Sequence, residues 1–150
     1  MAQNNHEYII KQVQYSLNNN ILHNDKKRIF SLNFNHPVIE LIFFVRNKNV
    51  KNIGMDVGND WLNFSKTLVP PFKNPIKNAK INLNGQDRTP ELTDKELRFY
   101  NLLEKHTAIP NNFIYVYSFS LNPEHEQPSG SCNFSRFDNK EIELEFEDDI

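Results

Sequence analysis

The chain has 150 residues, 38% of them hydrophobic, and a formal net charge of -2. That is one domain's length, without the clustered basic surface that a nucleic-acid-binding protein needs. A single cysteine, Cys132, excludes an intrachain disulfide and suits a reducing compartment.

The opening MAQNNHEY lacks the basic start and apolar core of a secretory signal peptide. Residues Tyr8 to Tyr15 fit two templates. Ile10, Val13 and Leu17 fit a helix face, while Ile9, Val13 and Tyr15 fit a strand interrupted by Lys11. Asn18, Asn19 and Asn20 then predict a turn. From Arg28 to Phe34, Phe30, Leu32 and Phe34 alternate with polar neighbours, the period of a half-buried strand. Asn35-His36-Pro37 breaks it, because proline cannot donate to a ladder. Val38 to Val45 is apolar on both parities, as in a strand buried on both faces. It is the longest strongly apolar run, yet it is too short to span a bilayer and carries Glu40.

From Arg46 to Lys77 the pattern dissolves into Asn, Lys, Gly54, Gly58 and Pro70-Pro71. This predicts a long surface loop carrying short strands, with Trp61, Leu62 and Phe64 tucking back onto the core. Ala79, Ile81 and Leu83 alternate in a strand that ends at Asn84-Gly85, a tight-turn signal. Thr93 and Glu96 have the spacing of a capping box, and Leu97, Tyr100 and Leu103 or Leu102 supply an apolar stripe for a short helix to about Lys105. Ile114 to Leu121 and Cys132 to Phe137 read as strands. Ile142, Leu144 and Phe146 alternate with Glu141, Glu143 and Glu145 in a strand with one buried face. The acidic run from Glu141 to Asp149 reads as a solvated strand edge, whose glutamates discourage edge-to-edge pairing. Twelve Phe, five Tyr and one Trp point to an aromatic-rich core.

Short strands, long loops and one short helix make an all-β sandwich. Periodicity alone does not separate an immunoglobulin-like sandwich from a jelly roll or a small barrel.

The order of residues in Ile114 to Asp138 is more particular. Tyr117-Ser118-Phe119, Leu121-Asn122-Pro123, Gln127-Pro128-Ser129-Gly130 and Asn133-Phe134-Ser135-Arg136 resemble a segment of the major capsid proteins of nucleocytoplasmic large DNA viruses. Phe34-Asn35-His36-Pro37-Val38 with Glu40-Leu41-Ile42 looks like a strand entry of that family. Leu83-Asn84-Gly85-Gln86-Asp87-Arg88 looks like one of its turns. His106 to Pro110, leading into Ile114-Tyr115-Val116-Tyr117, looks like the run into its Tyr-Ser-Phe strand. The likeness extends from about Glu7 to about Phe146.

The resemblance implies a jelly-roll β-sandwich, incomplete, with one short helix in a long loop. The family builds each subunit from two jelly rolls, and three subunits form a pseudo-hexagonal capsomer. Residues 1–150 look like a single partial C-terminal jelly-roll domain, with an opening strand expected before Glu7 and closing strands after Phe146. One strand contributes about three inward apolar side chains at ~1.5–3 kcal/mol each. That is comparable to a whole domain's net ~5–15 kcal/mol, so the chain alone is expected to be marginal or to complete its sheets with a partner strand.

The implied function is structural. The protein would be a virion component assembled in the host cytoplasm, self-associating into homotrimeric capsomers of an icosahedral shell. It would contact neighbouring capsid and minor capsid proteins, with no direct nucleic-acid contact and no transmembrane segment. The loops Arg46 to Lys77 and Asn84 to Lys105 are the candidate intersubunit or exterior contacts. No catalytic, cofactor-binding or metal residues are expected, and no cofactor.

Candidate chemistry weighs little against this. His6, His23, His36, His106 and His125 are scattered without a His-x-His or His-Glu-x-x-His spacing, so a cupin-like metal site has no ligand pattern. They read as surface or loop histidines. Cys132 has no helix N-terminus or basic sequence neighbour and reads as a buried structural thiol. Ser129 lacks the Gly-x-Ser-x-Gly frame of a nucleophile elbow, so its role is the turn made by Pro128 and Gly130. Arg136 is expected to pair with Asp138 or Asp87. Asn63 and Asn133 open Asn-Phe-Ser sequons, which without a signal peptide are not expected to meet the glycosylation machinery. A carbohydrate-binding β-sandwich module is the alternative, with Trp61 and exposed Tyr as sugar platforms.

Overall fold

The computed structural model describes residues 8–17, 21–22, 25–51 and 60–147. The expected turn at Asn18 to Asn20, together with His6, His23, Gly54 and Gly58, lies outside them. Three antiparallel groups of strands form. The main sheet runs β1 (Lys27–Ser31), β9 (Lys140–Phe146), β4 (Ile76–Leu83), β5 (Gln86–Asp87), with β6 (Leu92–Thr93) also on β4. Two small pairs accompany it: β2 (Pro37–Val38) with β8 (Cys132–Asn133), and β3 (Glu40–Phe43) with β7 (Tyr115–Ser118).

The alternation in β9 sets the main sheet. Ile142, Leu144 and Phe146 are all buried, and Ile142 stands between Phe30 of β1 and Ile81 of β4. Contrary to the edge reading of the acidic run, β9 is flanked by strands on both sides. Two of its glutamates, Glu143 and Glu145, are tolerated there because cations on the flanking strands meet them. Lys27 reaches Glu143 at 2.8 Å and Lys77 reaches Glu145 at 2.7 Å, while Asn78 Nδ2 donates to Glu145 at 3.0 Å. Such half-exposed pairs add little stability each, but they remove the like-charge repulsion that would splay the sheet.

β4 turns into β5 at Asn84-Gly85, as expected. Both residues have positive φ, 51° and 74°, the left-handed pair of a tight hairpin. Asn84 also pins this hairpin to the entry of β9, because its Oδ1 accepts from the amides of Asp138 and Asn139 at 2.9 and 3.0 Å.

Val38 to Val45 is not one doubly buried strand. It changes partner at Ile39: β2 pairs with β8 and β3 with β7, and Ile39 O accepts from Phe119 N at the junction. Ile42 and Phe44 face outward. The run is apolar on both parities because it keeps an apolar outer face. β1 is shorter than Arg28 to Phe34, although Leu32 is still buried and donates to Lys140 O at 2.7 Å.

The loop before β4 carries no strand among its described residues. A single 3₁₀ turn, Lys48–Lys51, seats the fully buried Val50. Of the three side chains expected to tuck back, Phe64 does, while Leu62 is exposed and Trp61 half-exposed.

The capping box forms: Thr93 N donates to Glu96 Oε2 at 2.7 Å, and Glu96 N to Thr93 Oγ1 at 3.4 Å. The helix then winds as a π-turn over Glu96–Tyr100 before α1 (Asn101–Lys105). An i→i+5 winding brings Leu102, rather than Tyr100 or Leu103, over Leu97. Leu97 and Leu102 are accordingly buried, with Tyr100 and Leu103 outside.

The expected strand Cys132 to Phe137 is only β8, followed by a 3₁₀ turn at Phe134–Arg136. Asn133 Oδ1 accepts from Ser135 N and so caps that turn. The turn drives Phe134 into the core beside Leu41, Tyr115 and the inward residues of β4 and β9. The core is aromatic where the small pairs meet, with Tyr117–Phe119 and Phe119–Phe134 in edge contact at 5.0 and 5.7 Å.

Candidate functional site

The connection between β7 and β8 contains the most particular residues of the sequence, and its geometry accounts for them. Ser118 and Ser120 are both buried. Ser118 Oγ donates to Ser120 O at 2.9 Å and accepts from Ser120 N. Ser120 Oγ meets Ser129 Oγ at 2.6 Å. Ser129 Oγ also accepts from Asn122 N at 2.8 Å and donates to Asn122 O at 3.2 Å. One hydroxyl thus ties the two limbs of the loop together. Gly130 follows with φ 136°, and a Cβ there would lie 3.1 Å from Phe119 O. Glycine is required both for that torsion and for the close approach. Sequence reading found Ser129 and Gly130 as turn residues, named Ser118 only as part of the resemblance and missed Ser120, because hydroxyl-to-backbone bonds leave no periodic trace.

Replacing Ser129 with alanine is expected to leave Asn122 and Ser120 short of partners and to cost about 1–3 kcal/mol. Urea unfolding at neutral pH reads this, and a loss within ~0.5 kcal/mol would show that the loop is not held by this hydroxyl.

His106 is more enclosed than a surface histidine. Its side chain is 12% exposed, with Nε2 3.3 Å from Glu40 Oε2 and Nδ1 3.4 Å from Glu124 Oε1. The Glu40 approach is close but not aligned as a hydrogen bond, since both atoms lack a hydrogen-bond partner. Glu124 is held by Thr107, whose amide donates to its carboxylate at 3.1 Å. That bond first, then the Thr107 hydroxyl and His106, keep the Glu124 carboxyl below the usual carboxylate range. The two glutamates address opposite edges of the imidazole, so their oxygens do not converge on one point. Among the described residues no group of three or more His, Cys, Asp or Glu could hold a metal ion. His36 sits at φ 69°, its amide donating to Ser135 Oγ at 2.8 Å, and His125 lies exposed in the β7–β8 loop.

Burial pushes the half-buried Cys132 thiol up, against a smaller opposing pull from Arg88, which favours the unreactive protonated form. Arg136 is exposed and makes no ion pair with Asp138 or Asp87. Asp87 is taken by Lys80 at 2.7 Å, across the β4–β5 ladder. Trp61 is poorly suited as a sugar platform, because the Arg46 guanidinium lies over its ring at 5.5 Å.

Both sequons are structural turns. Asn63 Oδ1 accepts from the amide and hydroxyl of Ser65, and Asn133 Oδ1 from the amide of Ser135. In each the intervening phenylalanine, Phe64 or Phe134, is buried. Asn-Phe-Ser recurs here as an Asx turn that inserts a ring into the core.

Both loops named as contact candidates carry outward apolar side chains: Leu62, Val69 and Phe72 in the first, Phe99, Tyr100 and Leu103 in the second. The cleft beside the first, about 200 Å³ and open to solvent, is lined by Leu62, Asn63, Phe64, Phe72 and Phe113.

An antiparallel sandwich whose signature loop is used to lock its own backbone, and whose long loops present apolar side chains, is a jelly-roll domain of the structural kind. The chain belongs to the large eukaryotic DNA virus major capsid protein family, whose model matches residues 1–150. It is similar to the major capsid protein of Phaeocystis pouchetii virus, 47% identical over 75 residues, 48% of this chain and 14% of that protein. It is also similar to the major capsid protein of Pyramimonas orientalis virus, 30% identical over 167 aligned positions, 96% of this chain and 37% of that protein. A chain of the quasi-atomic model of the PBCV-1 virus capsid matches with a TM-score of 0.62 at 28% identity, over 81% of this chain and 33% of that one. The chain therefore spans well under half the length of these relatives.

Proposed function

We propose that residues 1–150 act as a single partial C-terminal jelly-roll domain of a major capsid protein. The domain works by shape and valency and carries out no chemistry. It self-associates into homotrimeric, pseudo-hexagonal capsomers that tile an icosahedral shell, with neighbouring capsid and minor capsid proteins at its borders. Assembly takes place in the host cytoplasm, and the protein ends in the virion. The observation that carries this reading is the family match along the whole chain. The outward apolar residues of the two long loops supply surface for the large interfaces that obligate assemblies bury.

Negative-stain images and light scattering of the purified chain, alone and co-expressed with the intact Pyramimonas orientalis virus capsid protein, test it. Trimers or incorporation into hexagonal arrays are expected. A chain that stays monomeric and is excluded from arrays overturns the reading, and glycan-array binding by such a monomer would favour the carbohydrate-binding alternative. The isolated chain is further expected to be marginally stable. A sharp, reversible, high-temperature melt of the monomer would contradict that.

A further inference from the structure

We infer that His106 is a proton-operated clamp. Charged, it draws the start of β3 and the β7–β8 loop together; neutral, it releases the loop limb around Glu124. The inference does not depend on the capsid reading.

The two ring nitrogens face two carboxylates. Nε2 lies 3.3 Å from Glu40 Oε2, and Nδ1 lies 3.4 Å from Glu124 Oε1. A neutral imidazole carries one N–H and one lone pair. Whichever tautomer it takes, one carboxylate oxygen faces a lone pair. Only the imidazolium offers a donor to each. Both separations exceed the ~2.7–2.9 Å of a closed charge-assisted bond, so each carboxylate has room to close on a charged ring. Glu40 Oε2 and His106 Nε2 are also sealed from solvent without a hydrogen-bond partner. Beside a neutral ring, nothing offsets the hydration that this carboxylate oxygen has lost; beside an imidazolium, the opposite charge does.

The two glutamates are not equally free. Glu40 is fixed in the β3–β7 ladder opposite Ser118. Glu124 stands in a connection, and its side chain is 39% exposed. Loss of the ring's charge is therefore relieved at Glu124. At the acid end, Thr107 keeps the Glu124 carboxyl below the usual carboxylate range, so it stays ionised over the span of about pH 5 to 8 where histidines commonly charge.

The remaining charged groups around this point do not replace the ring. From the helix, Lys105 Nζ donates to Ser118 O at 3.0 Å. From the N-terminal segment, Lys11 Nζ donates to Pro123 O and His125 O at 3.1 and 3.0 Å. Both lysines are engaged by carbonyl oxygens. Glu104, His125 and Glu126 are exposed. The clamped form uses a proton that the released form does not, so clamping is favoured at low pH and lost as pH rises.

Two NMR measurements on the isolated chain test this. Ring nitrogen shifts of His106 report its protonation. Amide exchange at Thr107, Asn122 and His125, each corrected for its intrinsic rate at that pH, reports the loop. The ring is expected to be an imidazolium at about pH 5 and neutral at about pH 8. Loop protection is expected to be about fivefold or more greater at the lower pH. E124Q, a change at an exposed position, should abolish that difference, and H125Q should preserve it. A ring that stays neutral throughout overturns the inference. So does a charged ring with equal protection at both pH values. A pH response that survives E124Q, or that vanishes in H125Q, assigns the effect to another group and overturns it as well.

Discussion

Replacing Phe134 with alanine is expected to remove about 3–5 kcal/mol of stability, the range for deleting a buried aromatic ring. A domain's whole margin is ~5–15 kcal/mol, so this one change brings the chain close to unfolding at room temperature. The ring is fully buried and meets Phe119 edge-on at 5.7 Å. It enters the core from a 3₁₀ turn fixed at both ends: Phe134 N donates to His36 O at 3.0 Å, and Asn133 Oδ1 accepts from Ser135 N at 3.1 Å. A backbone held in this way cannot collapse into the cavity, so the upper part of the range is expected. Phe72, half-exposed on the loop before β4, is the control. Its alanine variant should change stability by no more than about 0.5–1 kcal/mol. Urea unfolding of both variants decides the matter. A cost at Phe134 no greater than at Phe72 would mean that the turn is not a fixed anchor of the core.

The contrast between these two phenylalanines shows where sequence reading succeeds. Ile142, Leu144 and Phe146 were legible because alternation reports directly which face of a strand is buried. Asn84-Gly85 and the Thr93–Glu96 box were legible because each satisfies a backbone requirement within a few residues. The failures share a physical origin. Parity says nothing about which strand lies alongside, so the glutamates of β9 looked like an edge until Lys27 and Lys77 were found opposite them. The division of Val38 to Val45 at Ile39 likewise reflects a choice between two partners. The π-turn at Glu96–Tyr100 decided between Leu102 and Leu103, which the sequence had left open, and put Tyr100 outside, and no local pattern announces it. At the β7–β8 loop the resemblance singled out the right residues without a reason. The reason is the bonding of Ser129 to Ser120 and Asn122. His106 was read as peripheral because its enclosing carboxylates, Glu40 and Glu124, come from distant parts of the chain.

Stability is expected to fall steeply above about pH 10, and Tyr115 should be responsible for a measurable part of that fall. Its side chain is fully buried. Its hydroxyl donates to Asn74 Oδ1 and accepts from Ile76 N at 3.3 Å, so it fastens the start of β4 to β7. Burial, opposed by the Ile76 amide and the Arg98 charge, pushes the phenol well above its ordinary value of 10.0. The neutral phenol is the form that folds. Above pH 10 the unfolded chain gives up this proton while the folded chain keeps it. The unfolded state then binds fewer protons, and stability declines with rising pH. The contribution is fully present below the unfolded value and is lost as pH rises towards the folded one, at a limiting slope of about 1.4 kcal/mol per pH unit. Lys27, whose ammonium is favoured mainly by its bond to Glu143, loses its contribution in the same direction, so the wild-type profile alone does not isolate the tyrosine. Tyr115→Phe does. At pH 7 the variant should be less stable by about 1–2 kcal/mol, because Asn74 and the Ile76 amide lose a partner. Its profile above pH 10 should be flatter, since phenylalanine has no proton to lose, and the two curves should meet about one to two units above pH 10. Urea midpoints measured from pH 7 to 12 on both proteins test this. Parallel curves would mean that the phenol ionises as readily inside the fold as outside it, and that its link between β4 and β7 is not sealed from solvent.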